Sequence, residues 1–195
     1  MSGAAALEDF NADQEAPLLL ECARGSGSAW RSLHRHYYPV TVAFLRKFGV
    51  HELEVEDAAQ DVFLQIHRYL PRFRGSSELK TWLYRLCITQ ARAARRRRRI
   101  SETLARWLPM FPEDAVVHGS DLCEATARRR VAAALDRLSE PERCALVLYE
   151  MEGLPGKEVA EILKCKEATL WRRLHYARKR FSDAINELAV NEGPS

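Results

Sequence analysis

The sequence predicts an all-α protein made of two small helical domains joined by a linker. Apolar residues recur at helical spacing, no stretch sustains an alternation of apolar and polar residues, and no Asn-Gly or Asp-Gly hairpin turn occurs. With 195 residues and 47% hydrophobic content, the chain can bury two cores. We expect a flexible tail at 1–14, a first domain at 15–100, a linker at 101–127, a second domain at 128–188 and a tail at 189–195.

Four helices are expected in the first domain. The first covers about 15–23, before a glycine-serine break at 25–28, and the second runs from Ala29 to a glycine cap at Gly49. The third ends at Pro71 and has the clearest helical period, because one side carries Val55, Ala59, Val62, Phe63, Ile66 and Leu70. The fourth runs from about Glu78 to Arg98, with a buried side of Leu79, Trp82, Leu83 and Leu86 and a basic stripe of Arg85, Arg92, Arg96 and Arg99.

The linker separates this domain from a helix-turn-helix pattern. Helical periodicity fades between Ser101 and Ala127, where Pro109 and Pro112 interrupt an acidic stretch. In the second domain Ser139, followed by Glu-Pro-Glu, predicts a helix N-cap, and the apolar stretch 144–151 predicts a buried helix. A short helix, a turn at 164–166 and a basic helix follow. We expect the last helix to turn its apolar side inward, namely Leu170, Leu174, Ala177 and Phe181.

Acidic and basic residues are segregated along the chain, although the net charge is only +3. Residues 51–61 contain five acids and no Lys or Arg, whereas residues 92–99 contain six arginines and no acid. A second basic segment lies at 166–180. The basic segments are expected to attract phosphate, and the acidic stretches are expected to avoid it.

Several functional classes are excluded by the same sequence. The five cysteines form no CxxC pair, so reduced thiols are expected, and Cys22, His34 and His36 are too loosely spaced for a convincing zinc site. No phosphate-binding glycine loop or hydrolase motif occurs, so we expect a binding protein rather than an enzyme, with no cofactor and no metal. The N-terminal segment carries acidic residues where a signal peptide has Lys or Arg. No apolar run reaches the roughly 20 residues that a membrane span requires. We therefore expect a soluble, cytoplasmic protein without membrane insertion.

One outward stripe of the third helix is acidic and hydrogen-bonding, with a single exposed hydrophobe. Carboxylates repel DNA, so this stripe is interpreted as a site for a basic protein partner, and a plain solvated helix face is the alternative. Its members are Asp57, Gln60, Asp61 and Leu64.

The loop after Pro71 and the fourth helix combine cations with aromatic rings. Cations suit a phosphate backbone and aromatic faces suit unstacked bases, so opened DNA is the predicted ligand. The alternative is a solvated, arginine-rich helix end. The candidate residues are Arg72, Phe73, Arg74, Lys80, Trp82, Tyr84, Arg85, Arg92, Arg95, Arg96 and Arg99.

The last helix is expected to enter a DNA major groove. In a helix-turn-helix, the N-terminal outward residues of the second helix contact the edges of DNA bases, and flanking Arg and Lys side chains bind phosphates. A basic solvated helix in a bundle is the alternative, since the turn lacks glycine and Trp171 stands on a face expected to be polar. The candidate residues are Lys166, Glu167, Thr169, Trp171, Arg172, Arg173, Tyr176, Arg178 and Lys179.

These segments together resemble bacterial sigma factors of the extracytoplasmic-function (ECF) type. Asp57–Phe63, Arg72–Gly75 and Thr81–Leu86, followed by the arginine run, resemble region 2 of that family. Glu152–Leu154, Glu158–Leu163 and Thr169–Leu170, leading to Ala177–Arg180, resemble region 4.

The resemblance implies a protein that binds core RNA polymerase and directs it to promoters through their minus-10 and minus-35 elements. Asp57, Gln60, Asp61 and Leu64 would dock on the clamp helices of the beta-prime subunit, and the second domain would lie at the beta flap. The 71–77 loop would take a flipped base of the minus-10 element, and the helix from Trp82 to Arg99 would contact that element. The last helix would read the minus-35 element. The linker would thread towards the polymerase cleft, and an anti-sigma partner is expected on the resemblance alone.

The chain departs from the family pattern at a few positions, and these affect the promoter sequence expected. They are Thr89, Ala93, Pro155, Lys164 and Trp171, where the family often has Asn, Asp, a Ser or Thr cap, Gly and Lys. Two other classes of protein remain open on the residues alone. A helix-turn-helix repressor or activator that does not replace sigma would bind duplex tightly without polymerase, and an RNA-binding or scaffold protein would show little preference for opened promoter DNA.

Overall fold

The computed structural model describes residues 12–72, 79–107 and 122–191. Within these ranges the chain is helical and contains no strand, as the sequence predicts. A 3-10 turn, Leu70–Arg72, follows the third helix, and a π-helical turn, Val147–Met151, continues the sixth. The α-helices of the described residues are α1 (Ala12–Ala23), α2 (Gly27–Lys47), α3 (Glu52–Tyr69), α4 (Leu79–Trp107), α5 (Leu122–Asp136), α6 (Glu140–Leu146), α7 (Gly156–Ile162) and α8 (Glu167–Asn191).

The N-terminal domain is built on α2, α3 and α4, which pack against one another, with α1 lying on α2. The Trp30 indole N–H donates to the carbonyl of Cys22 at 3.1 Å and so joins α2 to α1. Burial of apolar area is the main force that holds these helices together. The apolar side predicted for α3 is confirmed, because every member is buried: Val55, Ala59, Val62, Phe63, Ile66 and Leu70.

Helices extend into the segments expected to be linker and tails. The expected end of α4 at Arg98 is wrong, since the helix continues to Trp107. No glycine or proline interrupts it, and arginine, leucine and alanine all favour a helix. α5 already begins at Leu122, while residues 108–121 lie outside the described part of the chain. α1 begins at Ala12 and α8 ends at Asn191, so each also enters an expected tail.

The C-terminal domain is assembled on α8, against which α5, α6 and α7 pack. Leu170, Leu174 and Ala177 are fully buried and Phe181 is partly buried, as predicted. The predicted cap at Ser139 is also confirmed. Its backbone N–H donates to the Glu142 carboxylate at 3.1 Å, completing a capping box at the start of α6.

Arg143 is buried at the centre of this domain, with 2% of its surface exposed. Its guanidinium donates to the carbonyl oxygens of Leu135 at 2.8 Å and Leu138 at 3.2 Å. The Leu135 carbonyl lies in the last turn of α5 and that of Leu138 just after it, where the end of a helix leaves acceptors without helical partners. Burial, followed by the positive charge of Arg95, lowers the pKa of Arg143. The side chain therefore acts as an internal cap for α5.

Three of the described helices end in the same hydrogen-bonded arrangement, the Schellman motif, which places one residue in the left-handed region. Gly25 and Gly49 occupy that position after α1 and α2, with φ of 87° and 86°. After α7 the position is held by Lys164 at φ 50°, whose N–H donates to the Glu161 carbonyl at 3.1 Å. A side chain is strained in this region and glycine is not. The chain thus carries a strained residue in the turn of its helix-turn-helix.

The two domains pack against each other, chiefly through α4 and α7. Tyr84 and Glu152 are buried where the domains meet, with 2% and 1% of their surfaces exposed. None of the described helices combines the length and apolarity that a bilayer crossing requires.

Candidate nucleic-acid and protein interfaces

The acidic stripe of α3 lies on the surface, opposite the buried side of the helix. Asp57 and Gln60 are exposed, Leu64 has 67% of its surface exposed, and the Asp61 side chain is 42% exposed. The Asp61 carboxylate has the guanidinium of Arg97 at 3.9 Å, a distance at which an exposed pair contributes little. The stripe therefore offers carboxylate and amide groups around an exposed hydrophobe, a surface that suits a basic and partly apolar partner.

Leu53 extends this stripe towards the start of α3, and the sequence analysis missed it. It precedes Asp57 by four residues, so both lie on one side of the helix, and 82% of its surface is exposed. The sequence spacing could have identified Leu53, because a helical repeat connects it to the stripe residues Asp57, Gln60 and Leu64. Large exposed leucines at both ends of a polar stripe are typical of a protein-binding surface.

Part of the candidate site for opened DNA falls outside the described residues. Phe73 and Arg74 lie in the segment 73–78, which the structure does not describe, and Arg72 ends the preceding 3-10 turn. Trp82 is partly buried and packs against the hydrophobic core.

The basic side chains of α4 lie against the C-terminal domain rather than facing solvent alone. Nε of Arg92 is 2.6 Å from the Glu140 carboxylate, and Nη2 of Arg95 is 2.5 Å from the Asp136 carboxylate. Burial acts to lower the pKa of Arg92, but the hydrogen bond to Glu140, the contacts with Cys144 and the charge of Glu140 together outweigh it, so the pKa is raised. Arg92 of the predicted stripe and the nearby Arg95 thus already bind carboxylates.

Nearer the start of α4, Arg85 caps the end of α7. Its Nη2 donates to the carbonyl of Glu161 at 2.8 Å, and its Nε lies 3.4 Å from that of Ile162. A cation at a helix C-terminus satisfies the last carbonyls and is favoured by the helix dipole. Lys80, one turn earlier, has the Glu158 carboxylate at 3.9 Å.

A small cleft remains between α4 and the start of α6. Its volume is about 150 Å³, and it is lined by Arg92, Arg95, Arg96, Arg99 and Glu140. Four guanidinium groups around one carboxylate leave an excess of positive charge there. This cleft favours anions such as phosphate.

Tyr84 and Glu152 form the centre of the contact between the domains. The Tyr84 hydroxyl donates to Oε2 of Glu152 at 2.9 Å, and Nζ of Lys47 lies 2.7 Å from Oε1 of the same carboxylate. Burial and the negative charge of Glu152 raise the pKa of Tyr84. Tyr84 was predicted to face unstacked bases, whereas its ring here lies against Phe44 at 4.9 Å between centroids. It is inaccessible to DNA while the domains are in contact.

The outward residues of α8 are placed as the helix-turn-helix pattern predicts. The structure leaves most of the candidate residues exposed, namely Lys166, Glu167, Trp171, Arg172, Tyr176, Arg178 and Lys179, and leaves Thr169 and Arg173 half-buried. Nε of Arg178 donates to the Glu150 carboxylate at 2.7 Å, so its cation is partly engaged. Arg172 lies one turn into the helix, where side chains of such a motif reach base edges.

Trp171 packs against the start of α7, although 42% of its surface is exposed. Its ring stands edge-on to Tyr149 at 5.3 Å between centroids, an arrangement favoured by aromatic quadrupoles. The same ring lies over Gly156, where a methyl group would come within 2.7 Å of it. Trp171 is thus a packing residue that joins α8 to α7, and its exposed edge remains available to a ligand.

Comparison with protein families assigns both domains. Residues 33–100 match the family model "Sigma-70 region 2", and residues 128–181 match "Sigma-70, region 4". The two models follow in that order and together cover more than half of the chain. The chain belongs to the sigma-70 family. It is an RNA polymerase sigma factor, and the resemblance found in the sequence is confirmed.

Curated relatives extend over most of this sigma factor. RNA polymerase sigma-H factor of Pseudomonas aeruginosa is 29% identical over 185 residues, which are 90% of this chain and 96% of the relative. ECF RNA polymerase sigma-E factor of Escherichia coli K12 is 29% identical over 160 residues, which are 77% and 84% of the two chains. The names of the sigma-E relatives place this sigma factor with the ECF type.

Two solved structures share the fold. One shows CnrH in complex with the cytosolic domain of CnrY; it has a TM-score of 0.69 at 21% identity and covers 91% of this chain and 99% of that one. The other shows the sigma factor RpoE with the anti-sigma factor NepR, from Bartonella quintana; it has a TM-score of 0.59 at 22% identity and covers 80% and 96%. The all-α, two-domain fold predicted from the sequence is confirmed.

Proposed function

We propose that this sigma factor brings core RNA polymerase to promoters through four surfaces. The α3 stripe binds the clamp helices of the beta-prime subunit, and the C-terminal domain docks at the beta flap. The loop after Pro71 and the basic side of α4 take the opened minus-10 element, while α8 reads the minus-35 element in the major groove. Promoter DNA and polymerase are therefore its partners, and its place of action is the bacterial cytoplasm.

The observation that carries this proposal is the opposite charge of the surfaces on α3 and α8. A carboxylate stripe cannot hold phosphate, whereas α8 exposes arginine and lysine beside its buried leucines. A repressor of the helix-turn-helix class would need α8 but would have no use for the α3 stripe. The combination supports a protein that holds another protein and DNA at the same time.

An anti-sigma partner is also part of the proposal. The related sigma factor RpoE was solved with an anti-sigma factor bound, and CnrH was solved with the cytosolic domain of CnrY. Because this chain shares their fold, we propose that a protein of that class holds it away from polymerase.

The polymerase contact is tested by charge reversal on α3. Asp61→Arg places a cation in the middle of the stripe and is expected to abolish co-purification with core polymerase. Glu21→Arg is the matched control, since Glu21 is an exposed acid on α1 and does not belong to the stripe. Equal loss of polymerase in both variants, or retention in both, would remove the stripe from the proposal.

The DNA contact is tested at Arg172, which is exposed on the first turns of α8. With polymerase present, Arg172→Ala is expected to weaken binding to a promoter by about tenfold and to relax its preference at one minus-35 position. The control is Arg129→Ala, which removes an exposed cation from α5 instead. A similar small, sequence-independent loss for both variants would reduce α8 to a phosphate-binding surface.

Run-off transcription with purified core polymerase on a genomic template pool tests the whole function. Initiation at defined sites that depends on the protein is the expected result. Tight duplex binding without polymerase, and no initiation with it, would favour a repressor or activator instead.

A further inference from the structure

Trp171 is a large apolar side chain on the part of α8 that enters the major groove in a helix-turn-helix. α8 begins at Glu167, so Trp171 and Arg172 lie together on its second turn, and both are exposed. In motifs of this kind the outward residues of the first turns contact base edges, whereas flanking cations contact phosphates. An uncharged indole gains nothing from a phosphate. Because the proposed function places α8 in the groove, the exposed edge of Trp171 faces bases rather than the backbone.

Two contacts hold the Trp171 ring in one orientation. The ring stands edge-on to Tyr149, and it lies over Gly156, where a methyl group would come within 2.7 Å of it. Tyr149 is itself held, because the guanidinium carbon of Arg178 lies 5.7 Å from its ring centroid. A side chain that is fixed on the protein side loses little rotamer freedom when a ligand binds. Trp171 thus presents a preorganised apolar edge to DNA.

A second apolar group lies next to Trp171 on the helix surface. Ala168 is exposed and precedes Trp171 by three residues, so the two side chains are neighbours on one side of α8. Arg172 stands beside them, and its guanidinium suits the two acceptors of guanine. The N-terminal turns of α8 therefore offer an apolar strip next to a cation.

The major groove contains one kind of apolar group that such a strip can contact. Every base edge there presents hydrogen-bond donors or acceptors, and thymine adds a methyl group. Packing an apolar edge against that methyl removes apolar surface from water, which is favourable. The same edge against the amino or carbonyl group of another base would leave a polar group without a hydrogen bond, which is costly. The chemistry of Trp171 therefore favours thymine over the other three bases.

We propose that Trp171 is a specificity-determining residue that selects thymine in the minus-35 element: its exposed edge packs against the thymine methyl group, beside the base pair that Arg172 reads. This inference rests on the proposed function of α8 and deepens it, because it names the base and the group that is contacted. Trp171 then has two tasks, since the ring that joins α8 to α7 also reads the promoter.

The test compares thymine with uracil, which differs from it only in lacking the methyl group. A minus-35 sequence is first selected by the wild-type protein bound to core RNA polymerase, from promoter duplexes whose minus-35 window is random. Each thymine of the selected element, on either strand, is then replaced in turn by uracil, and binding to the two duplexes is compared. At one thymine the wild-type holoenzyme is expected to lose about fourfold in affinity, the factor that burial of one methyl group gives.

Trp171→Ala and Trp171→Ser are expected to bind the thymine and uracil duplexes equally at that position, because neither side chain reaches the methyl group. Each ratio compares one protein with itself on two duplexes, so a general loss of affinity from weakened packing cancels. The matched control is Val190→Ala, which removes an exposed apolar side chain from the far end of the same helix. This variant should keep the fourfold difference.

The outcomes separate this inference from the proposed function. A selected element in which no thymine is sensitive to uracil in the wild type would overturn the inference, whatever the variants do. A fourfold difference that persists in both Trp171 variants would also overturn it. So would sensitivity to 7-deazapurines in place of uracil, since the indole N–H would then bind a purine nitrogen. Failure to select any minus-35 sequence counts against the proposed function of α8 itself, and it leaves Trp171 no base to select.

Discussion

Gly156 and Trp171 are fitted to each other, because a methyl group on Gly156 would lie 2.7 Å from the Trp171 ring. Gly156 is the first residue of α7, where alanine would otherwise be preferred over glycine by about 0.5–1 kcal/mol. We expect Gly156→Ala to destabilise the protein by about 1–2 kcal/mol, since the ring must leave its contact with Tyr149. Urea unfolding, followed by circular dichroism, measures the change.

The effect of Gly156→Ala on the free energy of unfolding should change sign when the Trp171 ring is absent. In a Trp171→Lys background the methyl group meets no ring, so Gly156→Ala should be neutral or stabilising by about 0.5 kcal/mol. An identical loss in both backgrounds would mean that the methyl group clashes with something other than the indole.

Lys164 holds the left-handed position of a Schellman motif that uses glycine at Gly25 and Gly49. Lys164→Gly is expected to raise the free energy of unfolding by about 1 kcal/mol, because the strain at φ 50° is removed. Lys164→Ala removes the same side chain but keeps the strain, so it should give no such gain. Thermal unfolding of the three proteins compares them, and a gain from alanine equal to that from glycine would point to charge rather than to strain.

Arg143 supplies hydrogen bonds to buried carbonyl groups at and just after the end of α5. Arg143→Met keeps most of the volume but removes the donors that bind the carbonyls of Leu135 and Leu138, and of these only that of Leu135 has a second donor, the Leu138 N–H at 3.2 Å. We expect a loss of about 3 kcal/mol in unfolding free energy. Arg137→Met, at an exposed site nearby, should change it by less than about 0.5 kcal/mol. Comparable losses would show that the guanidinium contributes packing alone.

Glu142 makes stability depend on pH. Burial raises the pKa of its carboxyl, but hydrogen bonds from Ser139 and the charge of Arg180 outweigh this, so the pKa lies below its usual 4.5. A depressed pKa stabilises the fold above the unfolded-state value, and that contribution is lost as the pH falls through the folded-state value. Glu142→Gln should therefore lower the free energy of unfolding by about 1 kcal/mol at neutral pH. Urea unfolding of the two proteins at a series of pH values should show this difference shrinking below about pH 4.5. A difference that does not vary with pH would contradict the charge-based explanation.

The parts of the fold that the sequence predicts are those with a strong helical period. The buried side of α3 and the inward leucines of α8 follow from spacing alone, because burial selects apolar residues on one face. The caps at Ser139 and Gly49 follow from local backbone chemistry. The end of α4 could not be predicted in this way, since a polar helix without proline or glycine has no marked stop.

The candidate site was predicted less completely, and Tyr84 explains why. An exposed aromatic for base stacking and a buried phenol at a domain contact look alike in the sequence. The acceptor of its hydrogen bond, Glu152, is 68 residues away in the chain, and no local pattern connects the two. The pairing of Arg92 with Glu140 and of Arg95 with Asp136 was missed for the same reason. Segregated charge indicates that a surface binds opposite charge, but it does not identify whether the partner is DNA or another part of the protein.

The π-helical turn at Val147–Met151 sets the direction of Glu152. The Glu152 N–H donates to the Val147 carbonyl at 2.9 Å, five residues back rather than four. Such a turn holds one residue more than an α-helical turn, so an insertion or deletion here would shift Glu152 relative to its partners Tyr84 and Lys47. An insertion or deletion in this turn would therefore separate the two domains.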